Sequence, residues 1–376
     1  MTTVRTPEVN TPPAANEPFD GKARFRNALA RFGRAAGASW TWLKWPVGLG
    51  VIAWLYYTHA DAIQEIARAP KNWSFAFLAF ALIGGSTLVT FGRWYLLVRT
   101  LDFPFRLRDA IRYGFVGLVS NYIAPGTVGG DLFKAVLLAR DQKSRRYAAF
   151  ATVLLDRILG LLALFMVGVI ATLLPHNFPD SAEVTANTAL LWTGSLAGLT
   201  GVGLMLLPAT TRWSWVNRLP QLPLVGHIIG ELIHGVQLYQ SRPLAVLAAL
   251  GLSIVGHAGL ITGFYCCALW LRQPTTWIPT LAGHFYFMPN AELFGVVSMT
   301  PAGVGALEFA IQKSYVWLRP ETVTEAEASA AGLMAAFALR VLTAAVSAIG
   351  GVYYLASRSE YSAAIEEASH ESEPAE

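Results

Sequence analysis

Long apolar runs constrain this chain before anything else does. A helix needs roughly 20 mostly apolar residues to cross a bilayer. Six runs meet or approach that length, at about 44–59, 73–98, 148–174, 188–208, 243–271 and 328–356. The first is short, and Trp40 and Trp42 extend it at the interface. Of 376 residues, 54% are hydrophobic and only 14% charged, against about 25% charged in a soluble domain. An all-α, polytopic membrane protein follows. The net charge of +4 then belongs to loops and tails and implies no nucleic-acid partner. Basic stretches such as Lys22 to Arg34 set topology or meet an anionic lipid surface.

Two further apolar runs, about 110–140 and 279–318, are each interrupted by proline and glycine, at Pro125–Gly130 and Pro301–Gly305. Basic residues mark cytoplasmic loops. Arg24, Arg26, Arg31, Arg34 and Lys44 place the N-terminal tail inside. Arg99, Arg106, Arg108 and Arg112 follow the second span, and Arg140, Lys143, Arg145 and Arg146 precede the third. The first interrupted run is therefore basic at both ends and enters from the cytoplasm. Counting onward, the second enters from outside, and the C-terminus returns inside. The expectation is six full spans plus two broken re-entrant hairpins, with both termini cytoplasmic in an inner (plasma) membrane. Residues 1–43 form a basic tail, 44–357 the membrane domain and 358–376 an acidic, disordered tail. The first apolar run begins too late for a secretory signal peptide.

The two interruptions resemble each other. "PGTVGGDLF" starts at Pro125 and "PAGVGALEF" at Pro301, each carrying an acid, Asp131 or Glu308. Each precedes an apolar span with one arginine, Arg157 or Arg340. The chain reads as an inverted repeat, with repeat one at about 44–174 and repeat two at about 188–356. Glycine- and proline-broken segments at matching places in two halves point to a transporter's midplane site. Broken backbone must be buried in protein or line a wet cavity, and free helix N-termini attract phosphate. Close helix packing at the glycines is the plainer alternative.

Ionisable residues within a membrane are costly and need partners or water. Arg157 and Arg340 suit an anionic headgroup, since the guanidinium fork matches phosphate. Their structural alternatives are snorkelling to the cytoplasmic interface or an Asp156 pair for Arg157, and a Glu308 or Glu292 pair for Arg340. Asp131 and Lys134 stand three residues apart, on one helix face. The acids Asp131 and Glu308 are N-terminal caps or ion-coupling groups, and Asn121 and Asn290 are uncharged donors to a headgroup. Gly129, Gly130, Gly303 and Gly305 let backbone approach the ligand, and Pro125 and Pro301 make the breaks. His227, Glu231 and His234 share one helical face, read as an amphipathic interfacial helix ahead of a metal site. His257 and His284 read as packing residues. Cys266 and Cys267, adjacent in an apolar run, read as packing or lipid-facing. No catalytic motif, metal site or cofactor site is expected.

These stretches, "NYIAPGTVGGDLFKAVLLARD", "AAFATVLLDRILGLLALF" and "SMTPAGVGALEFAI", resemble the lysylphosphatidylglycerol synthase transmembrane-domain family, the flippase-like domain proteins. The likeness covers about residues 45–356. It implies a bacterial or archaeal inner-membrane protein whose relatives move or modify lipids. It favours Pro125, Gly129, Gly130, Asp131, Arg157, Pro301, Gly303, Gly305 and Glu308 as site positions. Lys134 departs from the arginine expected there, keeping charge but losing the bidentate fork. Only about 20 residues follow the last span, too few for the synthase's soluble domain, so aminoacyl transfer is not carried over. The resulting expectation is a non-enzymatic carrier that flips or binds an anionic phospholipid or polyprenyl-phosphate-linked lipid, by rocking of one repeat against the other. The rivals are a membrane-embedded enzyme on a lipid phosphate, with Asp131, Glu308 and Glu292 as bases, and an accessory subunit of a separate glycosyl- or aminoacyl-transferase.

Overall fold

The computed structural model describes residues 70–123, 129–141, 146–174, 178–213, 216–221, 226–272, 276–298 and 300–356, with single positions between 50 and 68. Among them are ten α-helices and no strand. In chain order they are α1 (Trp73–Thr100), α2 (Leu107–Ile123), α3 (Gly129–Asp141), α4 (Arg146–Leu173) and α5 (Ala182–Leu206). Then come α6 (Gly226–Gln240), α7 (Pro243–Leu271), α8 (Leu281–Val297), α9 (Ala306–Leu318) and α10 (Glu325–Ala356). Helices α1, α4, α5, α7 and α10 are long and apolar enough to cross a bilayer, so the protein is a multi-pass membrane protein. The expected span at 44–59 falls almost wholly outside the described residues, as do Pro125 and both tails.

Local chemistry sets the helix starts. The α5 helix begins six residues before the apolar run at 188 because Ser181 caps it, its hydroxyl accepting from Val184 N–H at 3.3 Å. Thr324 and Glu327 form a reciprocal capping box at the head of α10. Thr280 caps α8 through Gly283 N–H at 3.1 Å.

Helices α1 and α7 form the central seam. Asn72 N–H donates to Trp270 O at one end, and Arg242 grips Asp102 at the other, so the two helices run antiparallel. Small residues permit their close approach. Ser86 donates to Gly256 O at 2.6 Å, and Gly256, Gly259 and Gly263 lie against α1.

Around that seam the packing has two-fold regularity. Helices α2 and α3 form one hairpin, and α8 and α9 another. Helix α4 packs on its own hairpin's second arm, α3, and on the other hairpin's first arm, α8. Helix α10 does the same with α9 and α2. The elements that correspond are α1 with α7, α2 with α8, α3 with α9 and α4 with α10. Because α1 and α7 are antiparallel equivalents, the two halves are inverted relative to each other. The hairpins therefore open at opposite ends of the bundle. Their arms, at 17 and 13 residues, are about 25 and 20 Å long at 1.5 Å per residue, shorter than the full spans. The two meet where α2 touches the turn at Pro301–Gly303.

Candidate functional site

In the first hairpin the arms touch backbone to backbone. A Cβ on Gly130 would lie 2.0 Å from Gly117 O, so only glycine allows this approach. Asn121 Oδ1 accepts from Gly130 N–H at 2.9 Å and ties the arms at the start of α3. Asn121 is thus a clamp on the hairpin. The next residue, Asp131, is buried. Its Oδ1 meets Lys134 Nζ at 2.8 Å, and its Oδ2 meets Arg157 Nε of α4. Lys134 also sits 5.5 Å over the Trp94 ring. Arg157 is the twelfth residue of α4, roughly 16 Å along it. It keeps 48% of its side-chain surface open, against 5% for Asp131. Asp156 and Glu292 add their fields to the same guanidinium.

The second hairpin breaks on left-handed backbone. Ala302, Gly303 and Gly305 have φ of 49°, 68° and 84°, a region that costs an L-residue about 1–2 kcal/mol. Gly303 also rests on the Gly295 backbone. Glu308 is 1% exposed. Its Oε2 accepts from Gly305 N–H at 2.8 Å, satisfying a free donor at the start of α9. Its Oε1 accepts from Arg340 Nε at 2.7 Å, and Arg340 Nη1 donates to Ala302 O at 2.8 Å. Arg340 Nη2 is enclosed without a hydrogen-bond partner among the described residues.

Each half therefore joins the acid just past its break to the arginine of its last span. Two expected alternatives are corrected here. Asp156 does not pair with Arg157, and Glu292 does not pair with Arg340. Asp156 instead takes both Arg93 Nε and Nη2, at 2.7 and 2.9 Å, while Arg93 Nη1 donates to Ser253 at 2.8 Å. This buried ion pair linking α1, α4 and α7 is absent from the sequence reading. Its signal is Arg93 itself, a cation inside the apolar run 73–98 that needs a buried anion. Glu292 stands beside His257, 3.9 Å from Nδ1. Asn290 is half-buried on α8.

His284 is a packing residue: Thr280 O and the Tyr315 hydroxyl satisfy its two nitrogens, both at 2.9 Å, and aromatic rings surround it. Cys266 and Cys267 are both buried, which decides for packing over lipid contact. The helix expected around His227 forms as α6, but the side chains of His227, Glu231 and His234 lie outside the described residues. A cavity of about 830 Å³ opens at the base of the second hairpin, lined by Phe178, Asp180, Trp277, Arg319 and Glu321 among others. It does not include the paired arginines.

Comparison with known proteins gives one match. The family model described as the lysylphosphatidylglycerol synthase TM region matches residues 41–351. No curated protein and no solved structure matches the chain.

Proposed function

Since the chain belongs to the lysylphosphatidylglycerol synthase TM region family, whose membership links it to lipid handling, we propose that it binds an anionic lipid by its phosphate and carries it between leaflets. In this reading the two hairpins are re-entrant, the membrane is the inner (plasma) membrane, both termini are cytoplasmic, and the chain does no covalent chemistry. One observation carries the proposal. Arg157 sits well inside a spanning helix, beside Asp131 in the first turn of α3, with about half of its side chain open.

An uncompensated guanidinium there would be costly. Asp131 supplies its counter-charge while no ligand is bound. A lipid phosphate, with more acceptor oxygens and a bidentate match to the fork, displaces that carboxylate. Lys134 then retains Asp131, so the released acid stays paired. Acyl chains remain in lipid throughout, and only the headgroup crosses protein.

The test is translocation of labelled anionic and zwitterionic lipids in liposomes reconstituted with the purified protein. An Arg157→Ala variant should lose transport by roughly 10- to 100-fold, the worth of a charge-assisted hydrogen bond at about 1.5–3 kcal/mol. Unchanged transport of the anionic lipid in that variant removes the reading.

A further inference from the structure

His257 on α7 and Glu292 on α8 face each other in the apolar interior, beside Arg157. The imidazole Nε2 stands 3.0 Å from the carbonyl oxygen of Gly160. A carbonyl only accepts, so Nε2 carries the hydrogen and Nδ1 presents a lone pair. That Nδ1 is enclosed, with no hydrogen-bond partner among the described residues. What faces it is Glu292 Oε2, 3.9 Å away. A bare nitrogen and a carboxylate oxygen are both acceptors. Opposed in apolar surroundings they leave Nδ1 unsatisfied, which is costly. One proton removes the conflict, as O–H···N or as O⁻···H–N⁺. A movement of about 1 Å then brings the pair to hydrogen-bond distance.

We propose that His257 and Glu292 together bind one exchangeable proton, and that its presence sets how Arg157 is divided between Asp131 and Glu292. The pair keeps 18% and 19% of its side-chain surfaces open, which gives a proton a way in. The charges around it come from every neighbouring element. Helix α1 brings Arg93, which acts on His257 through space and is itself held by Asp156 of α4. Gly160 makes room for that guanidinium, since a Cβ there would lie 3.2 Å from Arg93 Nη1. Helix α4 also brings Arg157, within electrostatic reach of Glu292. On the far side Glu308 of α9 and Arg340 of α10 neutralise each other. Helix α5 carries its single ionisable residue, Glu183, in its first turn.

Protonated, the pair is neutral overall, and Asp131 is the nearest anion to Arg157. Deprotonation breaks one O–H or N–H bond, and the proton passes to water with no electron moved. Glu292 is then a net anion beside Arg157 and competes with Asp131 for it. A phosphate arriving at Arg157 meets a different competitor in each state, so proton and lipid occupancy are linked. That linkage, unlike the proton site itself, rests on the lipid-carrier reading.

The experiment is a pH titration of the full-length protein in nanodiscs, read by two probes. Infrared difference spectra report the carboxylic-acid C=O stretch, and nitrogen-labelled histidine NMR reports a protonated Nδ1. Wild type should show one of the two signals at mildly acidic pH and lose it at mildly alkaline pH. Glu292→Gln should abolish the carboxylic-acid signal, and His257→Gln should shift the midpoint of what remains. A wild-type protein with neither signal across that range overturns the proposal. So does a titrating carboxyl signal that survives Glu292→Gln. Both readouts stand on wild type even if a variant fails to fold. In liposomes, a pH gradient should change anionic-lipid flux severalfold in wild type, and loss of that response in Glu292→Gln supports the linkage. If wild type moves no lipid but shows the titrating proton, the carrier reading fails while the proton site holds.

Discussion

Arg340 and Arg157 stand at matching places in the two halves, yet their surroundings differ. Arg340 is clamped: Glu308 holds Nε, Ala302 O holds Nη1, and 19% of its side chain is open. Glu308 meanwhile caps its own helix through Gly305. Arg157 answers to an acid that Lys134 shares, and 48% of its side chain is open. A charge fixed by an ion pair and a backbone hydrogen bond serves the architecture of its turn. Arg157, with the larger open surface, is the one that the lipid-carrier reading assigns to an incoming anion. One pair is enclosed with its turn, and the other keeps an open side.

That contrast breaks most severely if Glu308 is removed. Glu308→Ala should strand Arg340 and free the α9 terminus, at about 3–5 kcal/mol, the usual cost of halving a buried pair. Thermal unfolding in detergent should show a large fall in midpoint, and Asp131→Ala a smaller one, because Lys134 and the open side of Arg157 soften the loss. Equal losses would show that both pairs are structural.

Next in size is Gly130→Ala. Its Cβ must displace the Gly117 backbone, an overpacking cost of about 1–3 kcal/mol, and transport should fall with it. Gly303→Ala, strained by its positive φ, should cost about 1–2 kcal/mol and act on stability alone. Lysine substitutions sharpen the difference further. Arg157→Lys keeps charge but not the fork, so anionic-lipid transport should drop about tenfold, equivalent to roughly 1.4 kcal/mol, with little change in unfolding midpoint. Arg340→Lys should do the reverse. The smallest effect belongs to the exposed Asp102–Arg242 pair between α1 and α7. Asp102→Ala should lower the unfolding midpoint least of all, and less still at high salt.

The breaks, the acids and the arginines could be found from sequence because glycine, proline and charge are costly inside apolar runs and so stand out. Who pairs with whom could not. Asp156 and Arg157 are neighbours in the chain, but successive residues on a helix point about 100° apart. One turns to α1 and the other to α3. Arg93 escaped notice because it lies close to Arg99 and the basic loop beyond. His257 looked solitary because its partner, Glu292, is 35 residues away on another helix. The inverted repeat was readable in outline from two short motifs. The antiparallel α1–α7 seam that proves it depends on glycines spaced along α7, which look unremarkable in an apolar run.

The exchange of first arms between the halves has a mechanical consequence. Helix α8 leans on α4 and α2 leans on α10, as fingers interlock when hands are clasped. Swinging one half as a block would peel both grips open together and strip Gly168 from Pro289 and Gly350 from Phe115. The interlock therefore ties the two halves together, so that a shift of either hairpin bears on the long helices of both.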